Sequence, residues 1–401
     1  MSNSKNIIFI LDAGGTGFKF SAVQDYKEII DPFTVKTASD TLEEQLKKII
    51  DGFKHVQTLC GSEPTAISFS FPGPADYPNG IICDLANLPL FRGGVALKAM
   101  LENEFKVPVY INNDGDLFAY GEALGGVLPE INAMLEKNGN PKRYKNLVGL
   151  TLGTGFGGGV VLNGRLLEGD NSAGAEVWCM RNILYPQTSA EDSISIRGIR
   201  RVYAREAGID FNNAPQPFDI YEIALGNKEG HKEAALKAWD EFATILADII
   251  ANIATVVDGI VVLGGGLSGA SKIFMPKVVE LLNQEYPGLD GNKGPRMELS
   301  AYNLDDDEGR KEFSATSGKM IKVPFCEQEV WYDPSKKIGI TTTKLGTSSA
   351  VCIGAYAFAQ CQVLDSISIP ESVNSIGDGA LSGCYLVSEI MRGTPVHEAM
   401  H

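Results

Sequence analysis

Three glycine clusters and one acid at the end of an apolar run are the residues with chemistry in this chain. Asp12 lies in the stretch LDAGGTGFKF, Leu11–Phe20, after the apolar run IIFI, and Gly14, Gly15 and Thr16 follow it. A second glycine-threonine turn, Gly153-Thr154-Gly155, sits inside VGLTLGTGFGGGVVL, Val148–Leu162. A third cluster, Gly264-Gly265-Gly266, follows the run VVL. Glycine lets successive backbone N–H groups converge on a phosphate at close range, and a threonine hydroxyl adds a further donor. Two such turns facing each other would grip a polyphosphate. Singly, each cluster is what a plain hairpin turn requires; the three together favour a nucleotide. None is a Walker A loop, since GxxxxGK[ST] does not occur, and the GxGxxG of Gly153, Gly155 and Gly158 runs into a strand rather than a helix.

The acid is Asp114, in VPVYINND. An apolar strand delivers Asn113 and Asp114 to its carboxyl end, where sites on open α/β sheets form. There Asp114 can take a proton from a hydroxyl and Asn113 can bond a neighbouring one. The structural alternative is that Asp114 caps the next helix; with Asp114 as base, Asp116 becomes the better cap.

The elements that must position these residues alternate. Asn6–Leu11 and Gly17–Val23 read as a hairpin, Thr41–Phe53 as an amphipathic helix and Ala66–Phe71 as a strand ended by Pro72-Gly73-Pro74. Val95–Phe105 reads as helix, Val107–Ile111 as strand and Asp116–Leu124 as helix. Leu147 opens a second strand–turn–strand unit, and Ala234–Val257 is a long helix feeding the strand before Gly264. Pro287–Lys319, polar and glycine-rich with the acid run Asp305–Glu308, reads as a solvated insertion. Each half opens on a strand–glycine turn–strand unit, so the expectation is a mixed α/β, duplicated, two-lobed fold with an interlobe cleft.

The totals exclude several classes. With 401 residues and a formal net charge of -15, the chain lacks the basic surface that nucleic acid needs. No apolar run reaches the length of a spanning helix. Seven scattered cysteines, an odd number with no CxxC pair, fit reduced thiols and a cytoplasmic protein.

The set DAGGT (Asp12–Thr16), PGP (Pro72–Pro74), NND (Asn112–Asp114), GTGFGGGVVLNGRLLEG (Gly153–Gly169) and VVLGGGL (Val261–Leu267) resembles the ROK family of sugar kinases and sugar-responsive repressors, from about Asn6 to about Ala359. The resemblance implies an actin-like ATPase (ribonuclease H-like) fold. Its lobes would be residues 1–122 and 123–344, with a final helix near 345–361 packing back on the first lobe. It implies an ATP- and Mg²⁺-dependent hexose kinase acting on the 6-hydroxyl of glucose or a relative. N-acetylmannosamine or another amino sugar is the alternative substrate, and a non-catalytic sugar sensor the alternative class. A homodimer or larger assembly is also implied. The repressor branch opens with a helix-turn-helix, and here the first strand begins almost at once. On the same ground Asp114 is the catalytic base, and Asn87, Asn113, Asp114, Glu176 and Glu191 are sugar contacts. Asp12 holds Mg²⁺, through water, and Gly14, Gly15, Thr16, Gly153, Thr154, Gly155 and Gly264–Gly266 hold ATP.

Two departures stand out. The family continues from the glutamate into Gly-His and a CxCGxxGC segment that holds zinc. Here the residues are Val177-Trp178-Cys179-Met180, with no cysteine from Arg181 to Glu191, so no structural zinc is expected. Trp178 either stacks on the sugar in place of the lost histidine or packs in the core. The tail, Gln362–His401, carries SISIPESVNS and resembles a fragment of a BspA-like leucine-rich repeat, too short to make a solenoid.

Overall fold

The computed structural model describes residues 6–14, 17–73, 75–83 and 88–364, the last three by backbone alone. Its contacts form two compact units. One holds the chain up to Gly125, Val161–Gly174 and the chain from Ser348; the other holds Gly126–Val160 and Ala175–Thr347.

The first unit opens with β1 (Ile8–Ala13), β2 (Gly17–Gln24), β3 (Lys27–Glu28) and β4 (Phe33–Lys36), then α1 (Leu42–Cys60) and β5 (Ala66–Ser70). Short strands β6 (Ala75–Asp76), β7 (Ile81–Ile82) and β8 (Val95–Ala96) form a small antiparallel sheet. Then come α2 (Leu97–Phe105), β9 (Val109–Asn112) and α3 (Asp114–Leu124). The main sheet runs β3-β2-β1-β5-β9, and β4 also pairs with β2. β1 and β2 are antiparallel, whereas β1, β5 and β9 are mutually parallel. Both faces of β1 are covered, so its Ile8–Leu11 run is continuously apolar rather than alternating; β5 is equally buried but carries Ser68 and Ser70.

α1 starts where Thr41 accepts a bond from the Glu44 N–H and stops at Gly61, left-handed at φ 63°. It buries Ile49, Phe53 and Val56. Gly52 lets it sit on the Phe20 ring, which an added Cβ would meet at 2.2 Å.

The second unit begins with α4 (Val127–Lys137), β10 (Leu147–Leu152) and β11 (Phe156–Leu162), whose end carries the chain back to the first unit for β12 (Arg165–Leu166). It continues through α5 (Ile196–Ala207), α6 (Pro217–Leu225), α7 (Lys232–Val257), β13 (Ile260–Gly264) and α8 (Ser271–Leu282). Hairpin β14 (Glu285–Pro287) and β15 (Lys293–Pro295), β16 (Ser300–Asn303) and α9 (Asp307–Ser314) follow. Hairpin β17 (Lys319–Lys322) and β18 (Glu329–Tyr332) precedes β19 (Lys337–Thr342). Its sheet runs β11-β10-β13-β19-β16. Helix α7 buries Trp239, Phe242 and Ile245 among others, which is why its sequence is apolar on more than one face.

The stretch expected to be a solvated insertion therefore contains the edge strand of this sheet. β16 pairs in parallel with β19, and Ala301, Leu304 and Phe313 are buried. Its four residues, SAYN, are too few and too polar to announce a strand. The outer edge of β16 is closed by Asn283, whose amide accepts from the Ala301 N–H (2.8 Å) and donates to its carbonyl (2.9 Å). This is one way to blunt an edge strand.

Asp305, in the acid run after β16, is no solvated charge either. Its carboxylate accepts from Thr341 Oγ1 (2.7 Å), Thr342 N (3.0 Å), Thr342 Oγ1 (2.9 Å) and Lys344 Nζ (2.5 Å). Burial would raise its pKa, but these donors outweigh it and hold the carboxyl below the ordinary range. A depressed pKa contributes stability above the unfolded-state value of about 4 and loses it as pH falls through the folded value. Asp305→Asn should therefore unfold in urea about 1–3 kcal/mol more easily at pH 7. The difference from wild type should narrow as pH falls below about 4 and through the lowered folded-state value; a gap that stays constant with pH would contradict this account.

From Ser348 the chain returns to the first unit as most of α10 (Thr347–Leu364). Among the described residues no helix is long and apolar enough to cross a membrane. Cys60, Cys83, Cys179, Cys326, Cys352 and Cys361 are free thiols, and Cys384 lies outside the described residues.

Candidate functional site

In the first unit the parallel strands end level with one another. Asp12 of β1 pairs in register with Ser70 of β5, and Ser70 with Asn112 of β9. Asp12, the Asp114 corner and the polar residues between them thus share the carboxyl edge of one sheet. Asp12 Oδ1 accepts from Ser70 Oγ (3.0 Å) and Oδ2 from Ser348 Oγ (2.9 Å). Lys19 Nζ, on the strand antiparallel to β1, donates to Ser348 Oγ (2.9 Å). Asp12 is therefore fixed from two sides. Gly14 donates its N–H to the Gly17 carbonyl at 3.0 Å, closing the turn. Gly15, Thr16 and Asn87 lie outside the described residues.

At the end of β9 the helix cap is neither Asp114 nor Asp116. Asn113 takes the extended cap conformation, and its Oδ1 accepts from the Gly115 N–H at 2.7 Å. The first turn places two acids at the positive end of α3, where negative charge is favoured. Asp114 is exposed and also accepts from the Gly115 N–H (2.9 Å); Asp116 is buried, so the capping expected of it is corrected. Asn113 Nδ2 lies 3.4 Å from Tyr77 Oη, itself a donor to the Phe71 carbonyl. Gly73 of the PGP turn admits this approach, since a Cβ there would come within 3.1 Å of Tyr77 Oη.

Behind the corner, Asn112 Oδ1 accepts from the Asn113 N–H (2.7 Å) and its Nδ2 donates to Glu168 Oε1 (3.3 Å). Desolvation raises the Glu168 carboxyl's pKa, and the Asn112 bond opposes that rise. Ser70, Ser348, Lys19 and Glu168 were not singled out from the sequence. The serine that ends the strand AISFS was the one local signal for any of them.

In the second unit, Gly153–Gly155 turns between β10 and β11, while Gly264 ends β13 and Gly265-Gly266 follow it; β10 and β13 are parallel neighbours, Thr151 opposite Gly264. Gly265 has φ 82°, and an added Cβ would meet the Leu152 carbonyl oxygen at 2.3 Å. Only glycine lets the two turns lie side by side here. The Gly265 N–H donates to Thr347 Oγ1 (2.7 Å), while Gly266 faces open space. Gly153 donates to the Gly155 carbonyl (3.0 Å), and Thr154 is exposed.

Glu191 is drawn into this turn. Its Oε2 accepts from the Phe156 N–H (3.1 Å) and would crowd a Cβ on Gly155 at 2.7 Å; its Oε1 pairs with Arg197 (3.1 Å). Glu176 is half-buried, and its Oε2 accepts from Trp178 Nε1 at 2.5 Å. Trp178 is 45% exposed, which removes the core-packing alternative for it. Cys179 is also exposed, its Sγ turned back on the Glu176 carbonyl at 2.9 Å.

The comparisons with known proteins agree with this architecture. Residues 8–309 match the ROK family, and residues 336–396 match the BspA type leucine rich repeat region. Within the described residues that second match falls on β19 and α10, which are parts of the two compact units rather than a repeat array. The crystal structure of glucokinase from Parabacteroides distasonis superposes with a TM-score of 0.81 at 48% identity, covering 89% of this chain and 98% of that one. A ROK hexokinase from Thermus thermophilus shares the fold, with a TM-score of 0.61 at 18% identity, 89% of this chain and 99% of that one. N-acetyl-D-glucosamine kinase from Vibrio cholerae is 29% identical over 288 residues, 67% of this chain and 87% of the relative. With three quarters of its length matched and these strand-end turns in place, the chain has the actin-like ATPase fold and belongs to the ROK family.

Proposed function

We propose that this protein transfers the γ-phosphoryl group of ATP to the 6-hydroxyl of a hexose, glucose or a close relative. The observation that carries the reading is the corner after β9. There Asn113 spends its Oδ1 on the helix cap and leaves Asp114 exposed on the same sheet edge as the anchored Asp12. The names of the Parabacteroides relative and of the Thermotoga maritima glucokinase, 28% identical over 304 residues, support the choice of sugar and reaction.

In the proposed step the sugar 6-hydroxyl gives its proton to the Asp114 carboxylate as its oxygen bonds to the γ-phosphorus. The bond from that phosphorus to the bridging oxygen breaks, and ADP leaves with the electron pair. Asn113 and Glu176 orient neighbouring sugar hydroxyls, with Asn87 beside them on the family resemblance. Glu176 Oε2 is held by Trp178. Glu191 braces the Gly153–Gly155 turn through Phe156, in addition to the sugar contact the resemblance implies.

The turn N–H groups and Gly264–Gly266 receive the nucleotide. Mg²⁺ fits at Asp12. Such an ion keeps several waters and takes few protein carboxylates, and a carboxylate oxygen that accepts one hydroxyl bond, as each Asp12 oxygen does, has capacity for a second partner. When bound it neutralises charge on the phosphates.

The test is ADP release under Mg·ATP with glucose, fructose, mannose, glucosamine, N-acetylglucosamine and N-acetylmannosamine. Saturable turnover should appear with glucose or a near relative. The Vibrio relative's name favours the amino-sugar alternative, and preference for an N-acetylated sugar would establish it. Sugar binding by calorimetry with no turnover on any of the six would instead make the protein a sensor.

A further inference from the structure

We propose that the segment Glu176–Ser193 keeps its shape without zinc, the buried side chain of Asn182 doing the tethering a metal would do. Asn182 is then the residue that positions Glu176 and Glu191. The proposal rests on reading those two glutamates as parts of the sugar and phosphate site.

The residues present do not fit a zinc ion. A structural site takes four nitrogen or sulfur ligands. The segment offers only Cys179, and among the described residues no group of three or more His, Cys, Asp or Glu side chains converges.

What converges instead is hydrogen bonding on Asn182, which is 0% exposed. Its Nδ2 donates to Ser193 Oγ (2.8 Å) and to the Ser189 carbonyl (3.4 Å). Its Oδ1 accepts from the N–H groups of Leu184 and Tyr185, both at 3.1 Å, and its own N–H donates to the Thr188 carbonyl (3.2 Å). Two donors and two acceptor positions are the full capacity of a primary amide. One side chain thus binds the outgoing arm, the loop tip and the returning arm together, the topological task of a four-ligand ion.

The arms are closed just beyond it, where the Ala190 N–H donates to the Met180 carbonyl at 2.7 Å. Met180 and Ala190 lie close in sequence to Glu176 and next to Glu191 respectively, so the width of this loop sets where both carboxylates stand. The tip is anchored separately. Tyr185 Oη donates to Glu241 Oε2 (2.7 Å), and Arg205 Nη2 donates to Glu241 Oε1 (2.6 Å). Removing the Asn182 amide leaves the buried Ser193 hydroxyl without that bond and frees three part-buried backbone groups, the Leu184 and Tyr185 N–H and the Ser189 carbonyl, from the tether; the buried loss costs more than such a bond contributes on average.

The test combines metal analysis, hydrogen exchange and kinetics on the full chain, with Asn182→Ala and the milder Ser193→Ala. Purified wild type should hold well under one zinc per chain by mass spectrometry, and strong chelators should leave its Tm unmoved. Asn182→Ala should exchange amides faster across residues 183–193 and raise the sugar KM about tenfold or more, with kcat within severalfold. About one zinc per chain whose removal lowers Tm would overturn the proposal. So would a folded Asn182→Ala with unchanged exchange. If Asn182→Ala does not fold, Ser193→Ala, which removes the partner of Asn182 Nδ2, decides: faster exchange at 183–193 supports the tethered loop and unchanged exchange refutes it. Should wild type turn over no sugar, the proposed function falls, while the zinc and exchange results still judge the tether.

Discussion

Asp114→Asn should lower kcat by about a hundred- to ten-thousandfold, the range a positioned general base contributes. The substitution keeps size and hydrogen-bonding shape but removes the capacity to take the hydroxyl proton. It should leave the fold intact for a specific reason: α3 is capped by Asn113, not by the residue being changed. Exposure of Asp114 also means that little packing is disturbed. Sugar and Mg·ATP binding by calorimetry should change by less than about threefold, which separates lost chemistry from lost binding. A variant that retains more than a tenth of wild-type kcat would remove Asp114 from the base role.

Gly354→Val should cost about 3 kcal/mol or more of stability, at the upper end of overpacking effects. Helices α3 and α10 cross at Gly121 and Gly354. A Cβ on Gly354 would lie 1.8 Å from the Leu117 carbonyl oxygen, and one on Gly121 would lie 1.9 Å from that of Ala350. The obstructing atoms are backbone, so no rotamer change relieves the overlap and the helices must part. α3 begins at Asp114 and α10 places Ser348 on Asp12, so catalysis should fall along with stability. Urea unfolding measures the effect, with Gly269→Ala as control. That position has no neighbour within 4 Å and should change by about 0.5 kcal/mol or less. Equal behaviour of the two variants would mean that the crossing is looser than described.

Much of this could be read from the residues alone, because it depends on near neighbours. Glycine-threonine turns between apolar runs, the helical apolar spacing over Thr41–Phe53 and the long apolar helix before Gly264 are local patterns. Each was expected where α1, α7 and the β1–β2 and β10–β11 hairpins now stand. The family motifs likewise marked Asp12, Asp114 and Glu176 by their order.

Other features waited for the tertiary structure. Ser70 and Ser348 reach Asp12 across 58 and 336 residues, and Glu191 reaches Phe156 across 35. Which of Asn113, Asp114 and Asp116 caps α3 depends on side-chain geometry, since all three have side chains of a type that caps. β16, with only four residues and little apolar character, becomes a strand because β19 offers it a paired edge and Asn283 closes its other side. Sequence records what each residue can donate, accept or bury. Which partner it meets is decided by strand pairing and helix packing, and those energies belong to residues far apart in the chain.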